Sequence, residues 1–222
     1  AGLKDCGTTV IIGQGPMGRL HDEFALRYDI KNLVMVEIDR DRLYWGKKNL
    51  DSRAKKKGIA TYYLNPKEVD IQSKLREITE GKMADDVIIP VGNAKVQQDA
   101  IKLAGRGGRI NLFGGTKGAT IQIDPTFFHY QEGEIVGSSG AETYDMKLAL
   151  DAISDGDIDP GLHTALIGRF PDIPDLVERA VLQEFDGKVV IYPHLNLREP
   201  IETGGKWDAE KEEKLFEKLL KD

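Results

Sequence analysis

An apolar, largely β-branched run that stops at a glycine turn constrains this chain more than any other feature of it. Thr8-Thr9-Val10-Ile11-Ile12 reads as a strand buried on both faces, and Gly13-Gln14-Gly15-Pro16-Met17-Gly18 follows at once, opening a helical pattern. On its own G-x-G-x-x-G is an ordinary glycine-rich turn. Placed between a strand and a helix, it is the start of a dinucleotide-binding unit. Gly13 makes the tight turn, Gly15 lets a pyrophosphate approach the backbone, and Gly18 lets helix and strand pack closely. The helix N-terminus aims unpaired N–H groups and a positive dipole end at the phosphates. Pro16 and Met17 lie in that first turn, where a proline forfeits no needed donor.

A second strand, Leu33-Val34-Met35-Val36, ends at Glu37, 19 residues beyond Gly18, where the fingerprint places a carboxylate for the adenosine ribose hydroxyls. Alternation puts Asp39 on the same side. Asp39 is either the ribose acid itself or the cap of a helix beginning near Asp41, and the sequence leaves both open. A carboxylate beside the 2′-hydroxyl repels a 2′-phosphate, which favours NAD, whereas Arg40 and Arg42 accommodate NADP if the acid turns away.

The rest of the first half repeats the alternation. Ala60-Thr61-Tyr62-Tyr63, Asp86-Val87-Ile88-Ile89, Arg109 to Phe113 and Glu134-Ile135-Val136 read as strands, with helix-length segments at roughly 17–29, 41–57, 68–80 and 94–104. Strands alternating with crossover helices imply an α/β fold, a doubly wound parallel Rossmann sheet. Val91-Gly92-Asn93 closes the fourth strand where open α/β sheets bind ligands. After about residue 140 the character changes, giving a division into 1–140 and a C-terminal return segment with a charged helical tail, 141–222. That segment holds an amphipathic helix over 144–153, a Pro/Gly/Asp-rich turn, a short strand near 165–169, a helix near 173–184 and a strand over 188–192. In the tail, Asp208 caps a helix with the stripe Leu215, Phe216, Leu219 and Leu220, supported by the pairs Glu210/Lys214 and Glu217/Lys221.

The 222 residues include 31 Lys and Arg against 37 Asp and Glu, a formal net charge of −6, which argues against a phosphate-tracking nucleic-acid surface or an anionic-membrane surface. The longest stretch without formal charge, Cys6 to Gly18, is too short to span a bilayer, and no signal peptide is evident. Cys6 is the only cysteine, so no internal disulfide forms, which suits a reducing cytoplasm. His21, His129, His163 and His194 show no metal-ligand spacing, and no nucleophile, general acid or metal cluster stands out as catalytic.

Taken together, the glycine turn, Gly107-Gly108-Arg109-Ile110-Asn111-Leu112-Phe113-Gly114 and Glu134-Ile135-Val136-Gly137-Ser138 resemble the zinc-type medium-chain alcohol/polyol dehydrogenases. Gly156-Asp157-Ile158-Asp159-Pro160 and Asp186-Gly187-Lys188-Val189-Val190 extend the likeness, and His129-Tyr130 with Val136 to Gly140 is most similar to sorbitol-dehydrogenase and sugar-phosphate-reductase members. The resemblance implies hydride transfer between a secondary alcohol, a polyol or sugar phosphate, and NAD or NADP. It implies that backbone groups at Phe113, Glu134 and Val136 hold the nicotinamide carboxamide and that Lys188 reaches the pyrophosphate from the return segment, whose strands would pair with another domain.

The family's N-terminal catalytic domain, with its zinc ligands, has no counterpart here. Cys6 lies too near the first strand to match a zinc cysteine, so the chain reads as the cofactor part of a longer enzyme, inactive alone. The resemblance also implies a homodimer or higher homo-oligomer, paired through an edge strand in the stretch from Thr120-Ile121-Gln122-Ile123 to Val136. There Phe127, Phe128 and Tyr130 sit in a loop and either join the interface or pack inward. A non-catalytic NAD-sensing module and an S-adenosylmethionine-binding domain are the competing functions. An upstream Cys/His/Glu zinc domain would decide against the first.

Overall fold

The structure is a computed structural model that describes residues 2–137, 139–195 and 197–219. Ser138 of the resemblance, Leu220 of the tail stripe and Lys221, the expected partner of Glu217, lie outside them. Two compact units are present, Ala1–Asp157 and Ile158–Asp222.

The first unit is built on six parallel strands, β1 (Thr8–Ile12), β2 (Asn32–Val36), β3 (Ala60–Leu64), β4 (Ala84–Ile88), β5 (Ala104–Leu112) and β6 (Glu134–Gly137), in the order β3-β2-β1-β4-β5-β6. This is the doubly wound Rossmann order expected from the alternation. The central strands β1 and β2 are buried at every residue, because successive side chains enter two different cores. Val10, Ile12, Val34, Val36, Val87 and Ile110 face one, with Leu75, Ala100 and Ile101 packed over them. Ile11, Leu33, Met35 and Ile88 face the other, under Ala25, Leu50 and Ala54. Those covering residues come from α3 (Ile71–Ile78) and α4 (Ala94–Ile101) on one side, and from α1 (Pro16–Ala25) and α2 (Arg40–Lys56) on the other.

Four differences from the sequence expectations have physical causes. Strand β5 begins at Ala104 rather than near Arg109, because a register shift with Gly107 at φ +67 absorbs the extra residues. Residues 120–123 form no strand. Gln122 N–H donates to the side chain of Gln98 and Ile121 packs on the core, so the edge of the sheet is β6 alone. The expected loop holding the aromatics is a helix, α5 (Pro125–Gln131), capped by Asp124 with Pro125 in its first turn. Phe127 and Phe128 pack inward on the first core, while Tyr130 stays 70% exposed. The units divide after Asp157, not after residue 140. Helix α6 (Thr143–Ser154) stays with the first unit, where Arg27 meets Asp155 and Asp157 at 3.6 Å and Lys57 meets Asp157 at 3.1 Å.

In the second unit the return strands pair with each other rather than waiting for another domain. Strand β7 (Thr164–Gly168) lies parallel to β8 (Lys188–Ile191) and antiparallel to β9 (Ile201–Glu202). The expected turn near residue 160 contains α7 (Pro160–His163), and the helix α8 (Ile173–Val181) buries Leu176 beside the paired strands. The tail helix α9 (Ala209–Leu219) starts at the Asp208 cap, sets Phe216 edge-on to Tyr192, and carries the Glu210–Lys214 pair. No helix among the described residues is long and apolar enough to cross a membrane.

Ile110 is fully buried where β5 crosses the first core. Ile110→Ala is expected to lower the unfolding free energy by about 2–5 kcal/mol, read as a shifted denaturant midpoint at unchanged slope.

Candidate functional site

The sheet ends that matter are the carboxyl ends of β1, β2, β4 and β5. Gly13 follows β1 at φ +93, and its N–H donates to the Val36 carbonyl at 2.7 Å. A Cβ there would collide with Val91, and a Cβ on Gly18 would overlap the Gly13 carbonyl oxygen. These two glycines are required by packing within the protein itself. Gly15 is different. Around its missing Cβ the nearest atom is an Arg42 guanidinium nitrogen at 3.7 Å. Gly15 is the residue before α1, with Pro16 opening the helix, no side-chain cap and no acid in the first turn. A helix start without a side-chain cap, beside a small residue, forms a cradle of the kind that suits an anion.

Glu37 closes one side of that cradle. It is 7% exposed. Oε2 accepts the Gln14 N–H at 2.7 Å, while Oε1 accepts the N–H groups of Ile38 at 2.7 Å and Asp39 at 3.1 Å. Arg42 approaches Oε2 to 3.9 Å. Asp39 instead caps α2, accepting from Asp41 N–H at 2.8 Å and Arg42 N–H at 3.3 Å. The two acids left open by the sequence thus have separate places, and the one at the glycine turn is Glu37. Arg40 is turned out to Glu68, at 2.7 Å.

Val91 and Gly92 lie in the loop after β4, and Phe113 directly follows β5. Gln97, 2% exposed on α4, joins these loops: its Nε2 donates to the carbonyls of Val91 at 3.1 Å and Gly114 at 2.6 Å. No motif marks Gln97. Its one sequence signal is the apolar-face position four residues after Asn93, the α4 cap. Phe113 meets the ring of His21 edge-on at 4.6 Å, and burial lowers the His21 pKa, favouring its neutral form.

Glu134 opens β6. The register sets Thr9, Asp86, Arg109 and Glu134 in one row, and the Glu134 carboxylate takes Arg109 at 3.0 Å. It does not stand with Gly13 and Phe113 at the carboxyl ends. Val136 is one alternation further up, and with His21 and Asn111 it lines a cavity of about 330 Å³. A larger cavity, about 710 Å³, has Ile12, Val36, Val69 and Ala100 among its walls, adjoining the residues that precede Gly13 and Glu37. Lys188 opens β8 in the second unit. Among the described residues no three His, Cys, Asp or Glu side chains group to hold a metal ion.

Comparison with known proteins bears on the fold and the family. The sequence profile of a family described as zinc-binding dehydrogenase matches residues 17–155. The mannitol-1-phosphate 5-dehydrogenase of Aliivibrio fischeri is 32% identical over 206 residues, 88% of this chain and 48% of that protein. Among solved structures, a zinc-binding dehydrogenase from Sinorhizobium meliloti bound to NADP superposes with a TM-score of 0.69 at 19% identity, over 87% of this chain and 54% of the other. An alcohol dehydrogenase from Escherichia coli complexed with NADH gives 0.67 at 20% identity, over 84% and 52%. The chain spans about half the length of the curated relatives it matches.

The two acids make separable demands on stability. Asp39→Ala removes a helix cap and is expected to cost about 0.5–2 kcal/mol. Glu37→Ala strands three N–H groups, one of them in the glycine turn, and is expected to cost about 1–3 kcal/mol. Amide exchange tells them apart, since only the Glu37 variant speeds exchange at Gln14.

Proposed function

The chain belongs to the zinc-binding dehydrogenase family, and from that premise we propose that it is the NAD-binding part of a zinc-assisted dehydrogenase of secondary alcohols, a polyol or a sugar phosphate. The observation that carries the reading is the open start of α1 at Gly15, set beside the buried Glu37 carboxylate. Residues Gly13 to Gly18 would hold the pyrophosphate on main-chain N–H groups, Glu37 the adenosine ribose, and the apolar cavity beside Ile12 and Val36 suits the adenine. Val91, Gly92, Phe113 and Val136 would border the half left for the nicotinamide. When bound, the nicotinamide supplies the hydride chemistry, and the protein's share is position and electrostatics.

The Glu37 carboxylate favours NAD by repelling a 2′-phosphate, with Arg42 as the counterweight toward NADP. The zinc ligands belong, on this reading, to a catalytic domain outside these residues, so this chain alone lacks dehydrogenase activity. The lone Cys6 suits a reducing compartment such as the cytoplasm.

Titrating the chain into NADH and following its fluorescence tests the reading; no response up to millimolar concentration refutes it. Glu37→Ala is expected to weaken NADH by about 1.5–3 kcal/mol and to narrow the gap to NADPH, because a charge-assisted bond and a repulsion are lost together. An equal loss in Asp39→Ala with none in Glu37→Ala would assign the ribose to the other acid.

A homodimer is part of the same proposal. Strand β6 ends the sheet, and its outer edge offers unpaired N–H and C=O groups to a second copy. The inward-facing Phe127 and Phe128 take no part in that contact, which leaves Ile123 and Tyr130 as its exposed apolar groups. Light scattering at high micromolar concentration is expected to give twice the chain mass, and a strict monomer refutes it.

A further inference from the structure

Two buried residues, one in the glycine turn and one on α1, carry polar side-chain atoms that the cofactor reading does not use. Asp22 is fully buried on α1, and Gln14, between Gly13 and Gly15, is 1% exposed. Gln14 Nε2 donates to Asp22 Oδ1 at 3.4 Å, whereas Asp22 Oδ2 and Gln14 Oε1 are both buried with no hydrogen-bond partner. An ionised carboxylate has only acceptors. With Asp22 ionised, the contact therefore leaves two acceptor oxygens, one on each group, without a donor between them. A single proton on Oδ2 turns one of those acceptors into the donor the other lacks.

We infer that Asp22 is held as an un-ionised carboxylic acid, paired with the Gln14 side-chain amide by two hydrogen bonds, and that this pair positions the turn carrying Gly13 and Gly15. Nε2–H donates to Oδ1, and the acid O–H donates to Oε1. The proton comes from solvent as the chain folds. Gln14 is then fixed at both ends, by its side chain to α1 and by its main-chain N–H to Glu37 Oε2 at 2.7 Å.

The groups around Asp22 act in opposite directions. On α1, Arg19 favours the anion and Glu23 opposes it. Glu23 is itself ion-paired with Arg53 of α2, and the Arg19 guanidinium lies over the Trp45 ring at 4.4 Å. From β3, Tyr63 feels the Asp22 charge while its hydroxyl donates to Asp51 at 2.6 Å. Loss of solvent outweighs these, and the Asp22 pKa lies well above the usual carboxylate value. The consequence for stability has a definite sign. The unfolded carboxylate releases its proton near the ordinary value of about 3.9 while the folded one keeps it, so stability falls as pH rises above that value toward the folded pKa.

Asp22→Asn keeps both hydrogen bonds as an amide–amide pair, whereas Asp22→Leu removes them at similar volume. At neutral pH, infrared spectra of the wild type are expected to show the carbonyl band of a buried un-ionised acid, missing in Asp22→Asn. The stability decline between the ordinary and raised carboxylate range is expected to vanish in Asp22→Asn. In Asp22→Leu, amide exchange at Gln14 and Gly15 is expected to accelerate about tenfold, corresponding to one lost hydrogen bond, with Asp22→Asn restoring it. Absence of the acid band, or unchanged exchange in a folded Asp22→Leu, overturns the inference. Should Asp22→Leu fail to fold, the band and the pH slope in Asp22→Asn decide. The positioning role rests on the cofactor reading only for its purpose. A wild type that ignores NADH sinks that reading, while the band and the exchange still judge the pair.

Discussion

Three N–H groups converge on one carboxylate at the end of β2, and the geometry of the site depends on that convergence. Glu37 receives Gln14 on one oxygen and Ile38 and Asp39 on the other, so the turn after β1 and the turn after β2 are fastened to one carboxylate. Charge-assisted bonds of this kind are shorter and stronger than neutral ones, and burial raises their weight further. The packing of Gly13 against Val91 and of Gly18 against the Gly13 carbonyl leaves the first turn one available path. The open space at Gly15 follows from that path. A ligand entering there meets a shape that already exists, with little ordering cost left to bind it.

The second fastening lies across the sheet. Gln97 reaches the carbonyls of Val91 and Gly114 with the same amide nitrogen, tying the loops after β4 and β5 as Glu37 ties those after β1 and β2. Phe113 is then held between the Gly114 contact and the His21 ring. Burial favours the neutral form of His21, whose ring meets Phe113 edge-on as one aromatic against another.

What the sequence makes legible is set by how local the determining physics is. Strands β1 and β2 are readable because a strand buried on both faces has to be apolar at every position, as Val10 to Ile12 and Leu33 to Val36 are. The glycine turn is readable because Gly18 answers to the Gly13 carbonyl five residues back and Gly13 to its own positive φ. Thr120 to Ile123 has the composition of a strand and is not one: Gln98, more than twenty residues earlier, takes the Gln122 N–H that a strand would have used. Helix α5 carried its signal in Asp124 and Pro125, a cap and a first-turn proline, which the three following aromatics obscured. The row in which Glu134 stands, opposite Arg109, is set by strand register, which no local pattern carries. Gln97 and Asp22 meet their partners through tertiary packing, which no local pattern encodes.

The α1–α2 interface has the same character. An amphipathic helix covering a sheet normally buries an apolar stripe, yet α1 buries Arg19, Asp22 and Glu23 beside its small residues. Burying the charges of Arg19 and Glu23 costs several kcal/mol each unless they are paired, and buried pairs are weak sources of net stability. Their arrangement explains why they are tolerated. Arg19 lies over Trp45, Glu23 takes Arg53, and Arg53 continues to the main-chain carbonyl of Asp157. The chain of partners runs from the helix that starts at Gly15, through α2, to the segment that leaves α6. A larger apolar side chain at any of these positions would break a pair and leave its partner buried without one. The interface is therefore fixed by mutual dependence among its charges, and the start of α1 inherits that fixed position.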